Sequence, residues 1–170
     1  MIRKFLRKVF SRKAPASESI AKLDIISNKH HHIQRNQINT CALKTATALQ
    51  QAGYSAYIVG GAVRDLLLGL TPKDFDIATN ATPEEIHNIF RRSRIIGRRF
   101  RLVHVMCGAD TVEVSTFRGP SLDNGDDSAP AQQTDQHGRL LHDNVFGSQE
   151  EDAIRRDFTV NALFYDPARE

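Results

Sequence analysis

The strongest motif of the sequence is the stretch Gly60-Gly-Ala-Val-Arg-Asp65, followed by Asp74-Phe-Asp76. An apolar run rich in strand-forming residues, 54–59, leads directly into the two glycines. Glycines at a strand-to-helix turn let the backbone approach phosphate oxygens closely, and the N-terminus of the following helix offers free N–H donors. By itself this signal is weak, because two glycines more often mark an ordinary turn. The stretch therefore predicts a phosphate-binding loop only together with the acidic residues that follow it.

The acidic pair Asp74 and Asp76 indicates a metal site. The two residues are two positions apart, so on a strand both carboxylates project from the same face. Neighbouring carboxylates repel each other, and a divalent cation removes that cost. Magnesium commonly binds through one or two carboxylates together with substrate phosphates. The alternative is that one aspartate forms the turn after Pro72 and the other is solvated, but the preceding glycine turn favours the metal interpretation.

A second metal ion would need a further carboxylate, because two ions about 4 Å apart clamp the attacking and leaving oxygens in such sites. Glu113 is a candidate, since it lies between Val112 and Val114 on a predicted strand and faces the opposite side from them. An exposed strand residue without a function is the equal alternative.

The segment Arg155-Arg-Asp-Phe-Thr-Val-Asn161 joins a predicted helix to a predicted strand. Two consecutive arginines offer bidentate contacts to phosphates. Asp157 can accept a hydrogen bond from a ribose hydroxyl or reach a metal, and Asn161 can contact a sugar or a base edge. The equal alternative is a helix that ends in basic residues, which suit its dipole, with Asp157 in the following turn.

Length and composition predict an ordinary soluble domain. The chain has 170 residues, of which 40% are hydrophobic and 25% charged, and no apolar run approaches the ~20 residues that cross a membrane. Two cysteines, Cys41 and Cys107, cannot form a disulfide framework, so a reducing compartment is expected. The basic N-terminus lacks the continuous apolar stretch of a secretion signal. Secreted, transmembrane and collagen-like classes are therefore disfavoured, and the predicted location is cytoplasmic.

The net charge of +3 is distributed unevenly. Residues 1–13 carry six basic residues and no acid, and residues 91–101 carry six arginines and no acid. Such clusters attract polyanions such as nucleic acid, although a solvated charged face is the alternative for each. The first cluster also has apolar residues at helical spacing, so weak contact with a membrane surface or RNA is a further alternative. In the second cluster, Arg98, Arg99 and Arg101 are the predicted RNA-binding residues.

Periodicity divides the chain into a tail and one domain. Residues 1–34 are predicted to form a flexible basic tail, and residues 35–168 a domain in which 119–138, poor in apolar residues, form a mobile loop. The elements predicted within the domain are a helix with a stripe at Ile38, Ala42, Ala46 and Leu49, strands at 54–59, 75–78, 102–107, 111–117 and 158–165, and helices at 62–68, from Thr82 and from Ser148. Helices and strands alternate irregularly, so the predicted fold class is α+β, a small mixed sheet with helices packed on it.

The motifs together are similar to those of a known family. In this order, Gly60-Gly-x-x-Arg-Asp65, Asp74-x-Asp76 and Arg155-Arg-Asp-Phe-x-x-Asn161 resemble the head domain of the class II nucleotidyltransferases, which include bacterial poly(A) polymerases and tRNA CCA-adding enzymes. Two segments, 96–105 and 143–148, resemble the bacterial poly(A) polymerase branch in particular. The resemblance implies a polymerase-β-like nucleotidyltransferase fold that adds AMP from ATP to RNA 3′ ends and releases pyrophosphate. The alternatives are a CCA-adding head and an inactive nucleotide- or RNA-binding fragment.

The resemblance also implies roles for single residues. Asp74 and Asp76 match positions that bind two catalytic Mg²⁺ ions, and Asp157 matches a position treated as catalytic. Glu113 and Asp157 compete for the third acidic role, which the sequence leaves open. The residues predicted to bind the nucleotide are Gly60, Gly61, Arg64, Arg156 and Asn161.

The expected partners are ATP and an RNA 3′ end, with no obligate protein partner. Members of the family continue into a base-selecting neck and an RNA-binding body. This chain ends at Glu170, soon after the third motif, so we expect both to be absent from it.

Overall fold

The structure, a computed structural model, describes residues 24–98, 100–119 and 146–169. Within them, five α-helices and two short 3-10 helices accompany a six-stranded sheet. None of the helices in this part of the chain has the length and apolarity needed to span a lipid bilayer. The predicted contacts of residues 1–13 and the predicted mobile loop, apart from its first residue, lie outside the described residues.

The sheet is mixed, as predicted. Its strands are β1 (Ala56–Val59), β2 (Asp76–Thr79), β3 (Ser93–Ile96), β4 (Leu102–Cys107), β5 (Asp110–Thr116) and β6 (Phe164–Tyr165). They lie in the order β3-β4-β5-β2-β1-β6, in which β2 and β5 are parallel and the other neighbours antiparallel. The register sets the first residue of β2 beside the middle of β5, and this position matters for the site below.

Two helices begin at the caps that the sequence predicts. The helices are α1 (Asn28–His31), α2 (Thr40–Gln51), α3 (Gly61–Leu67), α4 (Pro83–Ile89) and α5 (Gln149–Ile154), with 3-10 helices at Arg35–Gln37 and Thr159–Asn161. Reciprocal capping boxes start α4 and α5, where Thr82 pairs with Glu85 and Ser148 with Glu151. Each box satisfies backbone N–H groups that the first helical turn would otherwise leave unpaired.

The core lies between α2 and the sheet. Of the predicted stripe, Ala42, Ala46 and Leu49 lie on α2, are buried, and belong to one apolar cluster with Ile58 of β1 and Ile77 of β2. These five side chains are fully removed from solvent, so the helix stays fixed over the strands that carry the site. Ile38 is also buried in this cluster, but it precedes α2 because Asn39 caps the helix.

Two features of the core differ from expectation. Cys41 at the start of α2 and Cys107 at the end of β4 form a disulfide, with their Cα atoms 5.7 Å apart. A single crosslink is not a framework, but it departs from the expectation of a reducing compartment. Ile33, on the tail side of the boundary predicted at residue 35, is buried in the core. The packed part of the chain therefore includes residues before that boundary.

The prediction of a strand at 158–165 is wrong for most of that segment. Thr159–Asn161 form a 3-10 helix, and only Phe164–Tyr165 pair in the sheet, with β1. Phe158 and Val160 stay exposed, so burial does not support a strand at the start of this segment, whereas Leu163 packs against the core. The 3-10 helix instead brings Asn161 to Arg64.

Candidate nucleotide and metal site

A row of carboxylates crosses the sheet at the start of β2. Asp76 is the first residue of β2, and the register sets it beside Glu113 of β5. Side chains that are neighbours in register project from the same face, at a strand spacing of about 4.8 Å. Glu113 in turn faces His104 of β4, with 3.6 Å between the His104 Nε2 and Glu113 Oε2 atoms. Asp74 is exposed two residues before β2, close enough for its charge to act on Asp76.

Like charge makes this row unfavourable by itself. Loss of hydration at Asp76 raises the pKa of its carboxyl group, and the negative charges of Glu113 and Asp74 raise that pKa further, against an opposing effect of Arg156. A bound cation would remove the excess negative charge, and carboxylate oxygens are ligands that Mg²⁺ prefers. Among the described residues, no group of three or more His, Cys, Asp or Glu side chains is already arranged to hold a metal ion.

Asp157 occupies a different position from the other predicted acids. Its Oδ1 atom accepts a hydrogen bond from the backbone N–H of Phe158 at 2.9 Å, as a turn residue does. Of the two residues that compete for the third acidic role, Glu113 is the one that the strand register places beside Asp76.

The two predicted glycines connect β1 to α3. Gly60 has a φ of +69°, a left-handed conformation that residues with a side chain rarely adopt. Its N–H donates to the Leu163 carbonyl oxygen at 2.9 Å, which ties the loop to the segment before β6. A Cβ atom on Gly60 would lie 3.4 Å from Arg156 Nη1, and one on Gly61 would lie 3.5 Å from Arg64 Nη2. Two guanidinium groups therefore flank the glycine loop.

Asn161 links these two arginines. Arg64 Nη1 donates to the Asn161 side-chain oxygen at 3.1 Å, and Arg156 Nη1 donates to the Asn161 backbone oxygen at 3.2 Å. Asp65 fixes the other side of Arg64, because Arg64 Nε donates to Asp65 Oδ1 at 2.8 Å. The five residues predicted to bind the nucleotide thus lie in one cluster. Val59, the residue directly before Gly60, pairs in register with Asp76, so this cluster adjoins the carboxylate row.

Sequence reasoning missed Asp152. Its side chain is buried, and it is the carboxylate that Arg155 and Arg156 share. The acid precedes the two arginines by three and four residues, which is one helical turn. This spacing alone could have predicted the pairing.

Part of the arginine cluster, residues 91–101, already forms an ion pair within the protein. Strand β3, which lies within this cluster, forms one edge of the sheet. It was not predicted, because an exposed arginine interrupts its short apolar pattern. Arg98 is exposed, whereas Arg101 forms an ion pair with Glu84. The hydrogen bond that Arg101 donates in this pair lowers the pKa of the Glu84 carboxyl group. Arg99, the third predicted RNA-binding residue, lies outside the described residues.

Poly(A) polymerases are similar to this chain over nearly all of its length. A family model of the poly(A) polymerase head domain matches residues 56–170. Poly(A) polymerase I of Salmonella typhi is 52% identical over 167 residues, which are 96% of this chain and 36% of that protein. Poly(A) polymerase I of Haemophilus influenzae is 49% identical over 158 residues, 91% of this chain and 34% of that protein. The chain thus spans about a third of the length of these relatives.

CCA-adding enzymes are also similar. The CCA-adding enzyme of Streptococcus pyogenes is 42% identical over 125 residues, 74% of this chain and 28% of that protein. Among solved structures, the Bacillus stearothermophilus CCA-adding enzyme in complex with CTP matches with a TM-score of 0.56 and 39% identity, over 76% of this chain and 28% of that one. This likeness confirms the predicted nucleotidyltransferase fold. From the family match and the identity to its members, the chain belongs to the poly(A) polymerase head-domain family.

Proposed function

We propose that this chain is the catalytic head of a template-independent RNA nucleotidyltransferase, which adds AMP from ATP to RNA 3′ ends and releases pyrophosphate. The observation that carries the proposal is the adjacency of two clusters. Arg156 lies beside Gly60 in the glycine loop, and Val59, directly before that glycine, pairs in register with Asp76 of the carboxylate row. Nucleotidyl transfer needs both clusters side by side, because donors must bind the phosphates and carboxylates must hold divalent cations.

The carboxylate row fits Mg²⁺ by the type of its donor atoms and by its uncompensated charge. The proposed ligands are Asp74, Asp76 and Glu113, with Glu113 favoured over Asp157 because it shares the register of Asp76. When bound, two magnesium ions would supply a lowered pKa for the RNA 3′-hydroxyl group and would neutralise the leaving pyrophosphate. Asp157 is left with its other predicted role, which is to accept a hydrogen bond from a ribose hydroxyl.

The glycine loop and the arginines are proposed to hold ATP. Gly60 has no side chain, so phosphate oxygens can approach its backbone between the two guanidinium groups. Arg64 and Arg156 supply positive charge and directed N–H donors for the phosphates. Asn161, which both arginines contact, is placed to reach the sugar or the base.

The RNA contact is proposed at the arginine cluster. Arg98 and Arg99 would attract the phosphate backbone, with a smaller contribution from Arg101 because Glu84 already neutralises part of its charge. RNA affinity should then fall steeply with salt, since binding releases counterions. ATP and RNA 3′ ends are intracellular substrates, so the proposed location is cytoplasmic, and no obligate protein partner is proposed.

A CCA-adding head is the second candidate function, and the match to a structure described as a CCA-adding enzyme with CTP favours it. The higher identity and wider coverage with poly(A) polymerases favour ATP as the substrate. The two functions differ in the nucleotide that they add first, so an incorporation assay separates them.

Incorporation of labelled ATP, and separately of labelled CTP, onto an RNA 3′ end with Mg²⁺ tests the proposal. The Asp74→Ala, Asp76→Ala double variant removes the proposed ligands. Asp166→Asn is a matched control, because this carboxylate lies outside the site and contacts Gln50 and Arg169. We expect ATP extension in the unmodified chain and the control, and none in the double variant.

Other outcomes of this assay identify the alternatives. Extension by CTP on a tRNA that lacks its 3′ end would indicate a CCA-adding head. Retained ATP binding without extension by any variant would indicate a nucleotide-binding fragment. Extension that persists in the double variant would refute the metal assignment.

A further inference from the structure

We propose that Asp152 is a positioning residue, which holds the Arg156 guanidinium group in the orientation that binds the triphosphate of the incoming nucleotide. This inference rests on the proposed function and deepens it, because it adds a residue that acts through another one. Asp152 itself does not need to touch the nucleotide.

The contacts of Asp152 divide its two oxygens between two arginines. Asp152 Oδ2 accepts hydrogen bonds from Arg156 Nε at 3.3 Å and from Arg156 Nη2 at 2.9 Å. Asp152 Oδ1 accepts from Arg155 Nε and Nη2, each at 3.1 Å, and from the backbone N–H of Arg118 at 3.2 Å. Since Arg118 follows β5, the same carboxylate ties α5 to the strand that carries Glu113.

These contacts leave Arg156 with donors for a ligand. A guanidinium group has five N–H donors, and the described contacts use one on Nε, one on Nη2 and one on Nη1, the last toward the Asn161 backbone oxygen. One donor therefore remains on each terminal nitrogen. The Phe164 ring lies 5.3 Å from Arg156 Cζ and covers one face of the group. Asp152 thus holds the Nε and Nη2 edge of the Arg156 guanidinium group, and Phe164 packs on one of its faces. The Nη1 atom lies beside Gly60.

The charge at this point also suits an anionic ligand. Asp152 is 2% exposed, and a carboxylate buried to this degree is retained in proteins when it is paired. Two guanidinium groups share this one carboxylate, so the three groups together keep one net positive charge. The surplus charge and the fixed fork of donors on Arg156 suit a phosphate group.

Binding of ATP and of adenosine, with Mg²⁺ present, tests the inference on the whole chain. The readout is the ratio of the adenosine Kd to the ATP Kd, because this ratio isolates the contribution of the phosphates. We expect Arg156→Gln to lower the ratio by about tenfold, as loss of a charged hydrogen bond would. Asp152→Asn, which keeps the shape of the side chain, should lower it by a similar factor.

A double variant shows whether Asp152 acts through Arg156. If it does, Asp152→Asn should change the ratio by less than about twofold in a chain that already carries Arg156→Gln. The control Asp166→Asn, an acid-to-amide change outside the site, should leave the ratio unchanged even if it lowers the melting temperature. A stability loss alone would therefore not imitate the expected result.

The outcomes separate this inference from the proposed function. A ratio that falls in Arg156→Gln but stays within about twofold in Asp152→Asn overturns the role of Asp152 and leaves the proposed function intact. A ratio unchanged in Arg156→Gln overturns the phosphate assignment and the inference with it. If Asp152→Asn does not fold, Asp152→Glu carries the test, since it keeps the charge and displaces the carboxylate. An unchanged ratio in that variant overturns the inference.

Discussion

Replacing Glu113 by glutamine should stabilise the metal-free protein, although it removes a proposed metal ligand. Glu113 and Asp76 lie side by side on β5 and β2, and the negative charge of Glu113 raises the pKa of Asp76. Without a cation, this repulsion acts against the folded state, because the unfolded chain separates the two charges. The Glu113→Gln variant keeps the size of the side chain and removes the repulsion.

The magnitude follows from the sheet geometry. Two unit charges about 5 Å apart, close to the strand spacing, repel by about 0.8 kcal/mol in water and about 3 kcal/mol at an effective dielectric constant of 20. The Glu113 side chain is 45% exposed, so solvent screens the pair and the lower end, about 1 kcal/mol, applies. For a chain of this length, about 1 kcal/mol raises the melting temperature by about 2–4 °C.

Thermal unfolding at pH 8 measures the relief of repulsion when EDTA is present, and the loss of the metal ligand when Mg²⁺ is present. The His104 Nε2 and Glu113 Oε2 atoms are 3.6 Å apart, which is longer than a hydrogen bond, so loss of this contact should change stability little. Glu113→Gln should melt higher than the unmodified chain in EDTA and gain less from Mg²⁺. Asp157→Asn, the same change in the competing acid, should do neither. The reasoning fails if Glu113→Gln melts lower in EDTA, or if Asp157→Asn is the variant that loses the Mg²⁺ response.

Three further predictions concern the crosslink, the pH dependence and the glycine loop. Cys41→Ser removes a disulfide between residues 66 apart in sequence, so urea unfolding should show a loss of up to about 4 kcal/mol that disappears in reductant; an equal loss in reductant would point to packing instead. Since the pKa of Asp76 is raised in the folded chain, metal-free stability should gain from this group as pH falls through the raised pKa toward the ordinary value. The difference from Asp76→Asn between pH 8 and about pH 4, close to that ordinary value, isolates the gain, and a difference of opposite sign would contradict it. Gly60→Ala forces a side chain onto a backbone with φ +69° and ψ −129°, which should cost about 1–3 kcal/mol of stability and weaken ATP binding. Unchanged stability and affinity would contradict the role assigned to this glycine.

The parts of the fold set by local chemistry could be predicted from the sequence. The Thr82–Glu85 and Ser148–Glu151 capping boxes follow from neighbouring side chains alone, and both are present. The placement of Glu113 on the opposite strand face from its valine neighbours follows from alternation, and those valines are buried. Alternation could not show that β2 and β5 are adjacent, which is what brings Glu113 to Asp76.

The parts set by distant contacts could not be predicted in this way. The pairing of Cys41 with Cys107 depends on how α2 lies over β4, and no spacing in the sequence reports that. The segment before β6 has strand propensity, but its side chains Phe158 and Val160 stay exposed. The hydrogen bond from Arg64 to Asn161 is among the contacts that hold the segment, and it joins residues 97 positions apart. Asp152 is a different case, because its spacing from the two arginines can be read from the sequence. Its burial, which makes an unpaired carboxylate there unfavourable, cannot be read from the sequence.

The most direct test asks whether the carboxylate row and the glycine loop form one site. ATP affinity should be measured with and without Mg²⁺, in the unmodified chain and in Asp76→Asn. If the clusters form one site, Mg²⁺ should strengthen ATP binding by about tenfold or more in the unmodified chain, and Asp76→Asn should lose most of that gain while metal-free binding stays equal or improves. The same gain from Mg²⁺ in both proteins would contradict a shared site.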